Sequence, residues 1–117
     1  MKNLEIYCVT NKSIKFLEKT GYKLAAVGRE KFSKKYIKCN EKKNINYKEK
    51  YYSELTFHYW FWKNLLDKKK NNLWIGFCQK RRFWLQSKNS SNNLLSKVPT
   101  NWKNYDAVIC KKINLGK

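Results

Sequence analysis

Proline occurs once in this chain, at Pro99, histidine once, at His58, and arginine only three times, at Arg29, Arg81 and Arg82. Each scarcity excludes something. A structural zinc site needs four ligands at short fixed spacings, and one histidine with Cys8, Cys39, Cys78 and Cys110, which form no CxxC pair, does not supply them. Three of these cysteines lie inside apolar runs, which favours buried free thiols in a reducing compartment over disulfides. No window approaches the roughly 20 apolar residues needed to span a bilayer. Met1-Lys2-Asn3 leads straight into a short strand-like run rather than the long apolar core of a leader. The expectation is a soluble, cytoplasmic chain, with association at an acidic membrane surface left open by its charge. Carboxylates are scarce too. Glu54 and Asp106, the two within predicted elements, have no neighbour marking either as half of a catalytic pair.

What the chain has in abundance is positive charge and aromatic rings. Its 27 Lys+Arg against 8 Asp+Glu give a net charge of +19, which attracts any polyanion: nucleic acid, an acidic lipid surface or a phosphorylated small molecule. A compositional drift toward Lys and Asn accounts for much of that surplus equally well. The arginines stand apart, because a planar bidentate fork has been kept at only three places in a chain that otherwise uses Lys. At 117 residues, the whole span 1–117 reads as one domain with one core.

In chain order, Asn3–Thr10 places apolar groups on both faces and reads as a buried strand. A turn, Thr10-Asn11-Lys12-Ser13, follows, with Ser13 set to cap a short helix over Ile14–Lys19 whose Ile14, Phe16 and Leu17 face inward, and with Gly21 as its stop. Tyr22–Val27 reads as a second strand, so the order predicts a parallel α/β sheet. Glu30–Lys50 predicts a long irregular loop, a length that is unusual unless it folds over a site or holds a short element. Ser53–Leu66 predicts a helix with Leu55, Tyr59, Trp62 and Leu66 on one face and Phe57, Trp60 and Phe61 on the others, apolar nearly all round and therefore buried or sandwiched. Leu73–Cys78 is a third predicted strand and Tyr105–Cys110 a fourth. Leu85–Thr100 reads as a loop with one turn of helix near Leu94 and Leu95, and Lys111–Lys117 as a polar tail.

Ligands of open parallel sheets bind beyond the carboxyl ends of the strands. Two such outlets have suitable chemistry here. Thr10-Asn11-Lys12-Ser13 combines small polar groups with one cation, suited to a phosphate or a nucleoside edge or to an ordinary capped turn. Gln79-Lys80-Arg81-Arg82 sets two guanidiniums side by side, either clamping a diphosphate or forming a solvated basic turn. His58 reads as a satisfied core or interface histidine rather than half of a Cys-His dyad.

The residues Tyr52-Ser53-Glu54-Leu55-Thr56, Tyr59-Trp60-Phe61-Trp62-Lys63-Asn64, Ile75-Gly76-Phe77-Cys78 and Arg81-Arg82-Phe83 resemble the signature of the DUF4422 family, found in capsular and exopolysaccharide gene clusters and regarded as glycosyltransferases with a GT-A-like fold. Ile6–Lys12, Ala25–Gly28, Asn44-Ile45 and Tyr105–Ile109 extend the likeness. The chain departs from the family's pattern at Asn11, where relatives have His, and at Gln79-Lys80, where they read His-Tyr. The likeness covers the front half of that family's domain. It implies a small, truncated GT-A-like (Rossmann-like) parallel-sheet domain of about four strands around a buried aromatic helix. It further implies a nucleotide-sugar site with Thr10, Asn11 and Lys12 on the nucleotide and Arg81 and Arg82 on the diphosphate. Tyr59, Trp60 and Lys63 are sugar or acceptor candidates, Tyr59, Trp60 and Trp62 also reading as core, and Glu54 is the catalytic candidate. Two arginines in place of an Asp-x-Asp metal motif imply donor binding that requires no metal or other cofactor. The implied partners are a nucleotide sugar and a glycan or lipid-linked acceptor, with homo-oligomerisation left open by the apolar helix. A catalytically inactive sugar-nucleotide binder is a variant of this reading, and a basic protein that binds single-stranded nucleic acid is its rival.

Overall fold

The computed structural model describes residues 3–86 and 93–111. Four strands, β1 (Leu4–Thr10), β2 (Lys23–Ala26), β3 (Tyr36–Lys38) and β4 (Trp74–Gln79), form one all-parallel sheet in the order β3-β2-β1-β4. β1 is the centre, paired from Leu4↔Trp74 to Val9↔Gln79 on one side and from Tyr7↔Lys23 to Thr10↔Ala26 on the other. Alternate side chains of β1 therefore enter two separate cores. Leu4, Ile6 and Cys8 join Leu17, Tyr22, Leu24, Tyr36 and Leu95 on one face, and Tyr7 and Val9 join Ala25, Val27, Cys39, Phe57, Trp60 and Phe61 on the other. This is a Rossmann-like α/β arrangement.

The second face is roofed by α2 (Leu55–Asn64), which follows a single helical turn, α1 (Glu49–Tyr52). Its packing is aromatic: Tyr7 lies 5.0 Å from Phe61, 5.5 Å from Phe57 and 5.9 Å from Phe77, centroid to centroid. The face turned inward is Thr56, Phe57, Trp60 and Phe61, so the expected face is displaced: Leu55, Trp62 and Leu66 are exposed and Tyr59 is half-buried. A helix apolar all round offers more than one stripe of the right period, and the rings of Tyr7 and Phe77 select the one that fits.

Other expectations also change. Residues Lys15–Lys19 form a 3-10 turn without a side-chain cap. Leu17 is buried and Ile14 half-buried, while Phe16 is exposed and packs edge-on against Phe83. Gly21 beyond this turn does take a left-handed φ of 79°. The Glu30–Lys50 connection holds β3 and a 3-10 turn at Asn46–Lys48. Leu94 bridges Leu85 in antiparallel fashion instead of starting a helix, and Leu95 is core. Tyr105–Cys110 is not a strand. It carries no ladder, with Ile109 86% exposed, and the fourth strand of the sheet is β3 instead. The expected tail and the Ser/Asn-rich run lie largely in 112–117 and 87–92, outside the described residues. All four cysteines are free, with Cys8 and Cys39 buried and Cys110 exposed. Among the described residues no helix is long and apolar enough to cross a membrane.

Candidate functional site

β1 connects outward to β2 on one side, whereas the chain returns from β3 to β4 on the other side of β1, so the crossovers leave opposite faces of the sheet. The crevice between the carboxyl ends of β1 and β4 is thus the topological switch point of the fold. Thr10, the last residue of β1, is buried, and its Oγ1 donates to the Lys12 carbonyl at 2.7 Å and accepts from the Lys12 amide at 3.1 Å. The hydroxyl is spent on shaping the turn. That turn presents Asn11, whose Oδ1 accepts a 2.7 Å hydrogen bond from Lys80 Nζ across the crevice.

Gln79–Arg82 closes as a tight turn, the Arg82 amide donating to the Gln79 carbonyl at 3.0 Å and the Gln79 amide to the Arg82 carbonyl at 3.3 Å. Lys80 and Arg81 occupy its tip. The turn separates the arginine pair. Arg81 lines a cleft of about 140 Å³ with Thr10, Asn11, Glu49, Ser53, Glu54 and Lys80. Arg82 lines a larger groove of about 710 Å³ with His58, Cys78, Phe83 and Trp84. Glu54 borders both and pairs with neither arginine in an ion pair. A third hollow of about 560 Å³, over the end of β2, contains Lys12, Arg29, Asn46, Tyr47 and Lys50, and shares Asn11 and Glu49 with the first.

The other sequence candidates lie elsewhere. Trp60 is buried, and its Nε1 donates to the Glu41 carbonyl at 2.9 Å, which makes it a core residue tying down the β3–α1 connection. Lys63 lies over the Trp62 ring at 3.7 Å and near Tyr59 at 5.9 Å, on the outer face of α2. His58 is half-buried with its ring 4.3 Å from Phe77. Burial pushes its pKa down, and the nearby Glu54 charge opposes that shift. Among the described residues no group of three or more His, Cys, Asp or Glu side chains could hold a metal ion.

Residues 5–117 match a family described as a domain of unknown function, DUF4422. The chain belongs to the DUF4422 family. No curated protein and no solved structure matches it.

Sequence reasoning missed two residues that organise this DUF4422 cleft. Asn46 grips Gly28 at the end of β2 from both sides, accepting from its amide at 2.8 Å and donating to its carbonyl at 3.0 Å. Glu49 lies over the same glycine: a Cβ at Gly28 would meet Glu49 Oε1 at 2.6 Å, and the φ of 91° there also favours glycine. Both residues sit in the Lys/Asn-rich connection, where composition hides them. The only sequence signal was Glu49 itself, a rare acid just ahead of the aromatic helix.

Proposed function

We propose that this DUF4422 chain binds a nucleotide sugar over the carboxyl ends of β1, β2 and β4 and serves as a glycosyltransferase-type protein of surface-polysaccharide synthesis. One observation carries the reading: the switch-point crevice is lined by Asn11, Lys80 and Arg81, while the ion pairs among the described residues, Lys35–Glu18 and Lys69–Glu5, leave these two cations unneutralised. Two donors on a tight turn suit a diphosphate, and they supply the charge that a divalent metal would otherwise bring to the leaving group. Arg82, turned into the other groove, has no part in that contact. Glu54 stands between the cleft and the 710 Å³ groove, where a carboxylate would take the proton of an acceptor hydroxyl as that oxygen bonds to the sugar's anomeric carbon and the sugar–diphosphate bond breaks.

Calorimetric titration with UDP- and GDP-sugars in EDTA tests this. Saturable binding is expected, weakened roughly 10- to 100-fold by Arg81→Ala, the loss of one or two charge-assisted hydrogen bonds. Arg82→Ala should leave it unchanged, and Glu54→Gln should keep the affinity while abolishing transfer. Binding that appears only when Mn²⁺ is added would sink the metal-independent site. A second reading rests on the exposed rings of Tyr47, Tyr51 and Tyr52 interleaved with Lys48 and Lys50, a surface suited to stacking single-stranded nucleic acid.

A further inference from the structure

Glu49 is an acid that, among the described residues, has no hydrogen-bond or ion-pair partner, although the chain is strongly basic. Its side chain is half-buried. Lys12, Arg29, Lys50, Lys80 and Arg81 all line the two hollows it borders. Its seat is nonetheless defined. The carboxylate rests where only a glycine leaves room, and Asn46 clamps that glycine's amide and carbonyl. Cys39 Sγ, whose pKa is pushed up to about 11 chiefly by burial, packs under the same Asn46 at 3.6 Å.

The two hollows are distinct in chemistry and adjacent, with Asn11 and Glu49 bordering both. One has the Lys80-Arg81 tip, suited to phosphate oxygens. The other has the exposed Tyr47 ring, suited to the face of a base. A ligand spanning both must pass Glu49 with a group that a carboxylate attracts. Phosphate is repelled there, whereas hydroxyl groups donate to it. Between the diphosphate and the base of a nucleotide lies the ribose with its vicinal diol.

We propose that Glu49 accepts hydrogen bonds from the ribose hydroxyls of the bound nucleotide and makes the site select ribonucleotides over 2′-deoxyribonucleotides. This rests on the nucleotide reading above. The test is titration of UDP, GDP, their 2′-deoxy counterparts and inorganic pyrophosphate against the wild-type chain, Glu49→Gln and Glu49→Ala. The wild type should prefer the ribonucleotides about tenfold, the worth of one charge-assisted hydrogen bond. Glu49→Ala should bring that ratio near one, Glu49→Gln should keep part of it, and pyrophosphate should bind both variants at least as tightly as the wild type, which also reports an intact fold. Nucleotide binding without ribo/deoxy preference in the wild type, or a preference that survives Glu49→Ala, overturns the role of Glu49 alone. Failure of every nucleoside diphosphate to bind while pyrophosphate does overturns the nucleotide reading together with it.

Discussion

Thr56 is fully buried beside Phe57, and its Oγ1 has no hydrogen-bond partner. A hydroxyl taken from water without a partner costs on the order of 1–3 kcal/mol. Thr56→Val keeps the branched shape and removes the unpaired group. It should therefore raise stability by about 1 kcal/mol, seen as a higher denaturation midpoint at unchanged slope. A lower midpoint would mean that the hydroxyl is bonded in solution. At the same scale, the sequence marked Asn11 and Arg81 by residue type alone, since a polar turn and a rare guanidinium at strand ends are local features. It could not reveal the roles of Glu49 and Asn46, which come from meeting Gly28 at separations of 21 and 18 residues.

The aromatic helix was legible as an element but not in its start or its inner face. Ser53 breaks it, with φ 47° and ψ −124°, a conformation that non-glycine residues seldom hold, and this splits α1 from α2. The break lets α1 lay Glu49 over the β2 outlet while α2 runs along the sheet. Relieving the strain by Ser53→Gly should raise the thermal midpoint by a few degrees, the equivalent of roughly 1 kcal/mol in a domain of this size. A fall in the midpoint would show that the serine side chain contributes more than its backbone costs. Tyr105–Cys110 teaches the opposite lesson. Its short apolar run with the β-branched Val108 and Ile109 has the local composition of a strand, yet the segment runs without a ladder, because strand propensity has effect only where a partner edge accepts it.

For the molecule as a whole, the surplus of positive charge separates the two functional readings by salt. A diphosphate held by two cations should lose only about tenfold in affinity between 50 and 200 mM salt, whereas a single strand contacting six or more lysines should lose roughly a few hundredfold. Fluorescence titration of random single-stranded DNA beside UDP-sugar calorimetry makes the comparison. DNA binding that falls this steeply with salt, with no saturable nucleotide-sugar uptake, would move the assignment to the nucleic-acid surface around Tyr47, Tyr51 and Tyr52. Exposed Leu55, Trp62 and Leu66 form the apolar side of the same molecule, away from the buried face of α2.

Local periodicity sufficed for the α/β class, for β1, β2 and β4 to within a residue or two, and for an aromatic helix between them, because hydrophobic alternation and helical spacing reflect burial directly. Strand order is decided by long-range pairing, which no short window encodes. Only when β4 docks on the free side of β1 does Lys80 reach Asn11, 69 residues away, and only the tight turn at Gln79–Arg82 sends Arg81 and Arg82 into different hollows. The cleft is thus a product of topology acting on side chains that the sequence leaves scattered.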